Sequence, residues 1–205
     1  MEPEDAAPAA VPVAAGGRPR IPRWVLEVVE TLALTLVIFL VVQNFVAQPF
    51  EVEQHSMEQT FTQGQYVLVD RLSHLWSPYA RGQVVVFRPP VEVSSVPDPF
   101  IKRVIAVGGD TVDIRDGEVL VNGLALDEPY LYRDADGTAG PTEAGTTDHW
   151  VVPQGDLFVM GDHREVSSDS RIFGPIPISS VIGRAILRYW PVTALSLVQA
   201  QTSAP

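Results

Sequence analysis

Ser56 and Lys102 are the two residues of this 205-residue chain whose types and surroundings suggest chemistry. The 14 basic residues divide into 13 arginines and one lysine, so a chain biased toward arginine keeps lysine at a single place. A buried lysine gives up its proton, whereas arginine effectively stays charged. Lys102 stands in DPFIKRVIAVGGD, flanked by Phe100, Ile101 and the run from Val104 to Val107. In a strand, alternation places it on one face with Val104 and Ala106. Apolar neighbours disfavour the charged amine. Free lysine titrates near ~10.4, and a fall of about 3 units, worth roughly 4 kcal/mol, yields a base suited to neutral pH. A snorkelling side chain with a solvated head is the alternative. Ser56, in EVEQHSMEQT, needs a base to become a nucleophile. None of His55, His74, His149 and His163 stands in a familiar triad context, and no G-x-S-x-G motif is present. His55 adjoins Ser56, so in an extended segment it points to the opposite face. A third segment, MGDHREVSSDSRIFGPI over 160–176, gathers Gly161, Asp162, Ser167, Asp169, Ser170 and Arg171. That composition suits a turn-rich loop. It equally suits a hydroxyl that orients a neutral lysine, with an Asp–Arg pair to fix the loop.

The elements that must position these side chains are mostly strands. Runs over 66–69, 84–87, 104–107 and 157–160 are short and rich in β-branched and aromatic residues. The stretch over 111–115 alternates, Asp116-Gly117 offers a type I′ turn, 118–121 returns, and Asn122-Gly123 turns again. Residues 133–149 are polar and glycine-rich and read as an exposed loop. No internal repeat or heptad is visible. The fold class is mainly β: an antiparallel sheet or barrel-like domain behind one N-terminal helix.

That helix is predicted over Trp24 to Ala47, whose only charges are Glu27 and Glu30. At 1.5 Å per residue the run is long enough for the ~30 Å hydrocarbon core of a bilayer. It exceeds the usual apolar region of a cleaved leader, and no small-x-small cleavage site follows. Arg18, Arg20 and Arg23 precede it, which places the N-terminus inside the cell and the rest outside. The expected organisation is a disordered tail over 1–23, a transmembrane anchor over 24–47, an extracytoplasmic domain over 48–191 and a C-terminal tail over 192–205. The formal net charge of −11 argues against a nucleic-acid partner. The absence of cysteine excludes disulfides, thiolate metal sites and a cysteine nucleophile.

Taken together, the segments resemble the bacterial type I signal peptidases, Ser-Lys peptidases that remove signal peptides from secreted preproteins. Their S-M-x-P-T box is similar to Ser56-Met57-Glu58-Gln59-Thr60, and their R-G-D-(aliphatic)-V-V-F box to 81–87. Their K-R-(aliphatic)-x-G-x-x-G-D box resembles 102–110, and their G-D-N-x-x-x-S-x-D-S-R box 161–171. The resemblance implies that Ser56 attacks the scissile carbonyl and Lys102 takes its proton. It implies that Ser167 hydrogen-bonds the lysine amine while Asp169 and Arg171 support that loop. The backbone N–H of Ser56 would form the oxyanion hole, with Gln54 where some members carry a helping serine. Val52, Met57, Phe61, Phe100 and Ile101 match positions lining shallow pockets for small residues of Ala-x-Ala type. The implied fold is a β core with a hydrophobic face on the membrane. Three residues depart from the boxes: Gln59 for proline, Gln54 for serine and His163 for asparagine.

The expected partners are preprotein signal peptides and the lipid bilayer, close to the secretion translocon, with no metal or organic cofactor implied. A Ser-Lys autoprotease is a second enzymatic reading, which the membrane anchor disfavours. A membrane-tethered β module that binds apolar peptides and cuts them weakly is the reading from another class. The three departures motivate it, and the joint presence of Ser56 and Lys102 opposes it.

Overall fold

The structure, a computed structural model, describes residues 22–41, 47–91, 93 and 98–201. Residues 1–21 of the expected tail, 42–46 of the expected anchor and 202–205 at the C-terminus lie outside the described residues.

Two units are distinct, one ending at Leu40 and one beginning at Val41. The first contains helix α1, Arg23–Val41, all but its last residue. It follows Pro22 and contains neither glycine nor proline, so nothing interrupts its ladder. Thr31 and Thr35 donate back to the carbonyls of Glu27 and Thr31, each at 2.8 Å. Apolar side chains cover the helix all round and are exposed, among them Leu32 at 64% and Phe39 at 58%. Among the described residues no helix is long and apolar enough to cross a membrane.

The second unit is antiparallel β. Its larger sheet runs β1 (Ala47–Glu51), β2 (Tyr66–Asp70), β11 (Val181–Trp190), β3 (Val84–Phe87), β4 (Phe100–Val107), β9 (Asp156–Met160) and β10 (Ile176–Pro177). Strand β12 (Ser196–Leu197) adds to β11, so part of the expected C-terminal tail belongs to the sheet. Ala47, expected at the end of the anchor, opens β1. The smaller sheet runs β7 (Leu124–Ala125), β6 (Glu118–Val121), β5 (Thr111–Arg115) and β8 (His149–Val151). The tight β5–β6 and β6–β7 turns follow from residue type. Asp116 and Gly117 have φ of 52° and 83°, and Asn122 and Gly123 have 53° and 80°, the paired positive values of type I′ turns.

Strands β3 and β4 are buried on both faces, which explains their nearly unbroken apolar runs. Val84, Val86 and Ile101 face a cluster with Val52, Met57, Phe61 and Val67. Val85, Phe87, Phe100 and Val104 face another with Tyr79, Leu157, Val159 and Ile176. Lys102 therefore shares a face with Phe100 and Val104, but not with Ala106 as simple alternation predicts. The β4–β9 register shifts between Val104 and Ala106, and Ala106 joins a third cluster with Trp150, Phe158 and Met160. The longest strand, β11, was not among the predicted ones.

Candidate active site

Ser56 lies in a single 3₁₀ turn, His55–Met57, soon after β1. Lys102 lies near the start of β4 and pairs across to Val85. Their side chains meet: Lys102 Nζ is 2.6 Å from Ser56 Oγ and 3.1 Å from the Ile101 carbonyl. Both residues are buried, at 3% and 1% exposure. Nζ also stands 5.1 Å from the centroid of the Phe100 ring. Burial pushes the Lys102 amine down to about 8, against the opposing pull of Asp169 and Asp162 and with a smaller contribution from Arg171. A neutral amine thus becomes accessible near the pH at which a serine needs a base.

The segment after β9 encloses this pair. Asp169 caps the short helix α2, Ser170–Phe173, accepting from the Arg171 N–H. Its carboxylate receives Arg171 Nε at 2.8 Å and Nη2 at 2.9 Å, and the Gly161 N–H at 3.1 Å. Arg171 Nη2 also donates to the Arg164 carbonyl at 2.6 Å, which closes the loop on itself. Ser167 is placed differently from the expectation. It makes no hydrogen bond to Lys102. Ser167 Oγ is buried without a partner. It lies over Gly161, where a Cβ would come within 2.3 Å of that oxygen and 2.5 Å of the Ser56 carbonyl oxygen. Only glycine admits both neighbours.

A model of the family described as "Signal peptidase, peptidase S26" matches residues 25–190. This chain belongs to that family. It is 34% identical over 185 residues to a signal peptidase I of Leptolyngbya laminosa, covering 88% of this chain and 87% of the relative. It is 33% identical over 177 residues to signal peptidase IB of Staphylococcus aureus (strain COL), covering 82% and 90%. A crystal structure of a signal peptidase I from Enterococcus faecalis V583 aligns at 30% identity and TM-score 0.40, covering 53% of this chain and 97% of that one.

Of the residues assigned to substrate pockets by resemblance to the family, Val52, Met57, Phe61 and Ile101 meet in one cluster and Phe100 lies in another. Val52 and Ile101 line a groove of about 190 Å³ with Phe50, Gln54, Val67 and Val86. Met57 and Phe61, at 0% and 2% exposure, belong to the core cluster that contains Val52 and do not line the groove. Phe100 falls on the opposite face of β4 from Ile101, edge-on to Phe87 at 6.1 Å, because neighbours along a strand alternate. It contributes to the apolar surroundings of Lys102 instead. Gln54 stands at the start of the Ser56 turn without a capping bond.

A second buried group was not singled out from sequence. Arg103 Nε and Nη2 grip Asp162 at 2.8 and 2.6 Å, Nη1 reaches the Gly82 carbonyl at 2.8 Å, and Nη2 reaches Thr60 Oγ1 at 3.0 Å. Thr60 Oγ1 in turn bonds Asp162 Oδ2. Arg103 also lies over Tyr130, 4.0 Å from the ring centroid. This fork joins β4, the turn after Ser56 and the segment after β9. The available signal was position: if alternation buries the Lys102 face, Arg103 follows into the other packed face and requires a carboxylate. The family's proline position is also altered. Glu58 at φ −56°, ψ 145° and Gln59 at φ 87° form a type II turn, closed by the Thr60 N–H on the Met57 carbonyl at 3.0 Å. Proline cannot adopt that φ.

Proposed function

We propose that this chain is a membrane-anchored serine endopeptidase that removes N-terminal signal peptides from secreted preproteins after small residues. The observation that carries the reading is the buried 2.6 Å contact between Ser56 Oγ and Lys102 Nζ. Neutral Lys102 accepts the Ser56 proton as Oγ bonds to the scissile carbonyl carbon. The carbonyl oxygen becomes an oxyanion, which accepts from the Ser56 N–H with help from the Gln54 amide. The protonated lysine then gives its proton to the departing amine as the C–N bond breaks. An ester remains on Ser56. Lys102 takes a proton from a water that attacks this ester and returns it to Oγ, releasing the carboxylate end of the signal peptide and restoring the pair. Asp169 and Arg171 hold the loop that encloses the lysine, and Ser167 supplies a free hydroxyl beside the nucleophile turn. The groove beside Val52 and Ile101 suits small side chains before the cut.

The anchor rests on the apolar run that begins at Trp24, of which α1 forms the part up to Val41 and is by itself too short and too charged to span a bilayer. Arg18, Arg20 and Arg23 on its N-terminal side favour an inside N-terminus.

The deciding experiment is cleavage of a purified preprotein with sequencing of the new N-terminus. Ser56→Ala and Lys102→Arg should each abolish the cut, the second because arginine stays protonated. Retention of most of the rate by Lys102→Arg would remove lysine as the base.

A further inference from the structure

His163 connects the segment after β9 to the nucleophile turn by two different groups. Its backbone N–H donates to the Ser56 carbonyl at 3.0 Å. Its Nδ1 faces Glu58 Oε2 at 3.3 Å. The ring is held in place by Tyr132, stacked at 3.8 Å between centroids and 16° between planes. Tyr132 is itself anchored, its N–H donating to the Asp162 carbonyl at 3.0 Å. The His163 side chain is only 14% exposed, so its orientation is settled by these contacts. A carboxylate opposite Nδ1 places the proton of the neutral ring on that nitrogen and makes it the donor.

Glu58 needs such a partner. It precedes Gln59, whose φ of 87° is a backbone conformation that side-chain-bearing residues resist. Contacts from outside therefore add to the turn's own Thr60–Met57 bond. At Thr60 they come from Asp162, Arg103 and Arg188. At Glu58 the contact is His163, because His55, at 3.6 Å from the same carboxylate, belongs to the turn being held and is itself exposed.

We propose that His163 is a positioning residue for the nucleophile. Gripping Glu58 with its ring and the Ser56 carbonyl with its N–H, it fixes the direction of Ser56 Oγ toward Lys102 Nζ. The inference rests on the Ser-Lys reading of this site. A small misplacement of a nucleophile costs rate more than binding, so the effect belongs in kcat.

The test is steady-state cleavage of one preprotein by the full-length protein and its variants. His163→Ala and Glu58→Ala are each expected to lower kcat about tenfold with KM within about twofold, and the double variant to lose little more than either. His163→Asn, which keeps an N–H donor near the Nδ1 position, should recover most of the rate. The proposal is overturned if Glu58→Ala keeps kcat within about twofold of the parent, if the two losses multiply, or if they appear in KM instead. Glu58 is part-exposed, so Glu58→Ala decides alone should His163→Ala fail to fold. Ser56→Ala and Lys102→Arg in the same assay separate the two readings. If they still cut, the Ser-Lys reading fails; if they are dead and Glu58→Ala is unimpaired, only the positioning role fails.

Discussion

In the proposed mechanism Lys102 must be neutral to work, and its burial opposes its charge. With the Lys102 amine held down at about 8, cleavage should fall on the acid side through that pH as the amine protonates. A kcat profile with its acid limb near that of free lysine would contradict this. Stability carries the same signature with a defined sign. The folded pKa lies below the unfolded one, so between about 8 and ~10.4 the unfolded chain binds more protons and stability rises with pH. Below about 8 the folded protein carries the full penalty. Lys102→Met should therefore be more stable than the parent at pH 7, by on the order of 3 kcal/mol, and the gap should shrink toward pH 10. Urea unfolding at several pH values measures it. Gln59 gives a second test at this scale. At φ 87°, Gln59→Gly should stabilise by roughly 1 kcal/mol, whereas Gln59→Pro should destabilise by about 3 kcal/mol or more. A stabilising proline would show that the turn differs from the one described here.

Among the elements, β11 decides how the larger sheet holds together. It lies between β2 and β3 and carries β12 as well. Its glycine at 183 sits where the β11–β3 register shifts, and a Cβ there would come within 2.2 Å of the Asp70 carbonyl oxygen. Two backbones approach at that point as only glycine allows. Gly183→Val should therefore separate β2 from β11 and destabilise the domain by several kcal/mol, on the order of other strained or overpacked sites. Thermal unfolding within a degree or two of the parent would refute the close approach. The Arg103–Asp162 fork plays the corresponding part around the site, since it ties β4 to segments both before and after it.

For the whole molecule, the proposed function depends on where the domain lies relative to the bilayer. Arg18 and Arg20 before α1 and Arg23 at its start are the asymmetry on which an inside N-terminus rests. Protease added to intact spheroplasts should digest the region over 48–191 and spare residues 1–23. Protection of the β region would reverse the orientation and remove secreted preproteins as substrates.

Local chemistry was legible in the sequence. Positive-φ residues at Asp116-Gly117 and Asn122-Gly123 announced their hairpins, and apolar runs located β2, β3, β4 and β9, because turns and strand periodicity are set by neighbours in the chain. The solitary lysine and the serine box singled out Lys102 and Ser56 before any contact between them was known. The contact itself spans 46 positions, and the Arg103–Asp162 pair spans 59. No local pattern encodes such distances. Strand β11 escaped notice because Gly183, Arg184 and Arg188 break its apolar run. Arg184 donates to the Ser77 carbonyl and Arg188 to those of Thr60 and Ala194, partners that exist only once the sheet has formed. The same holds for Ser167, whose hydroxyl is buried without a partner, and for Phe100, turned away from Ile101 by the pleat. Residue types determined which atoms were capable of the chemistry; the packing of distant strands decided which of them meet.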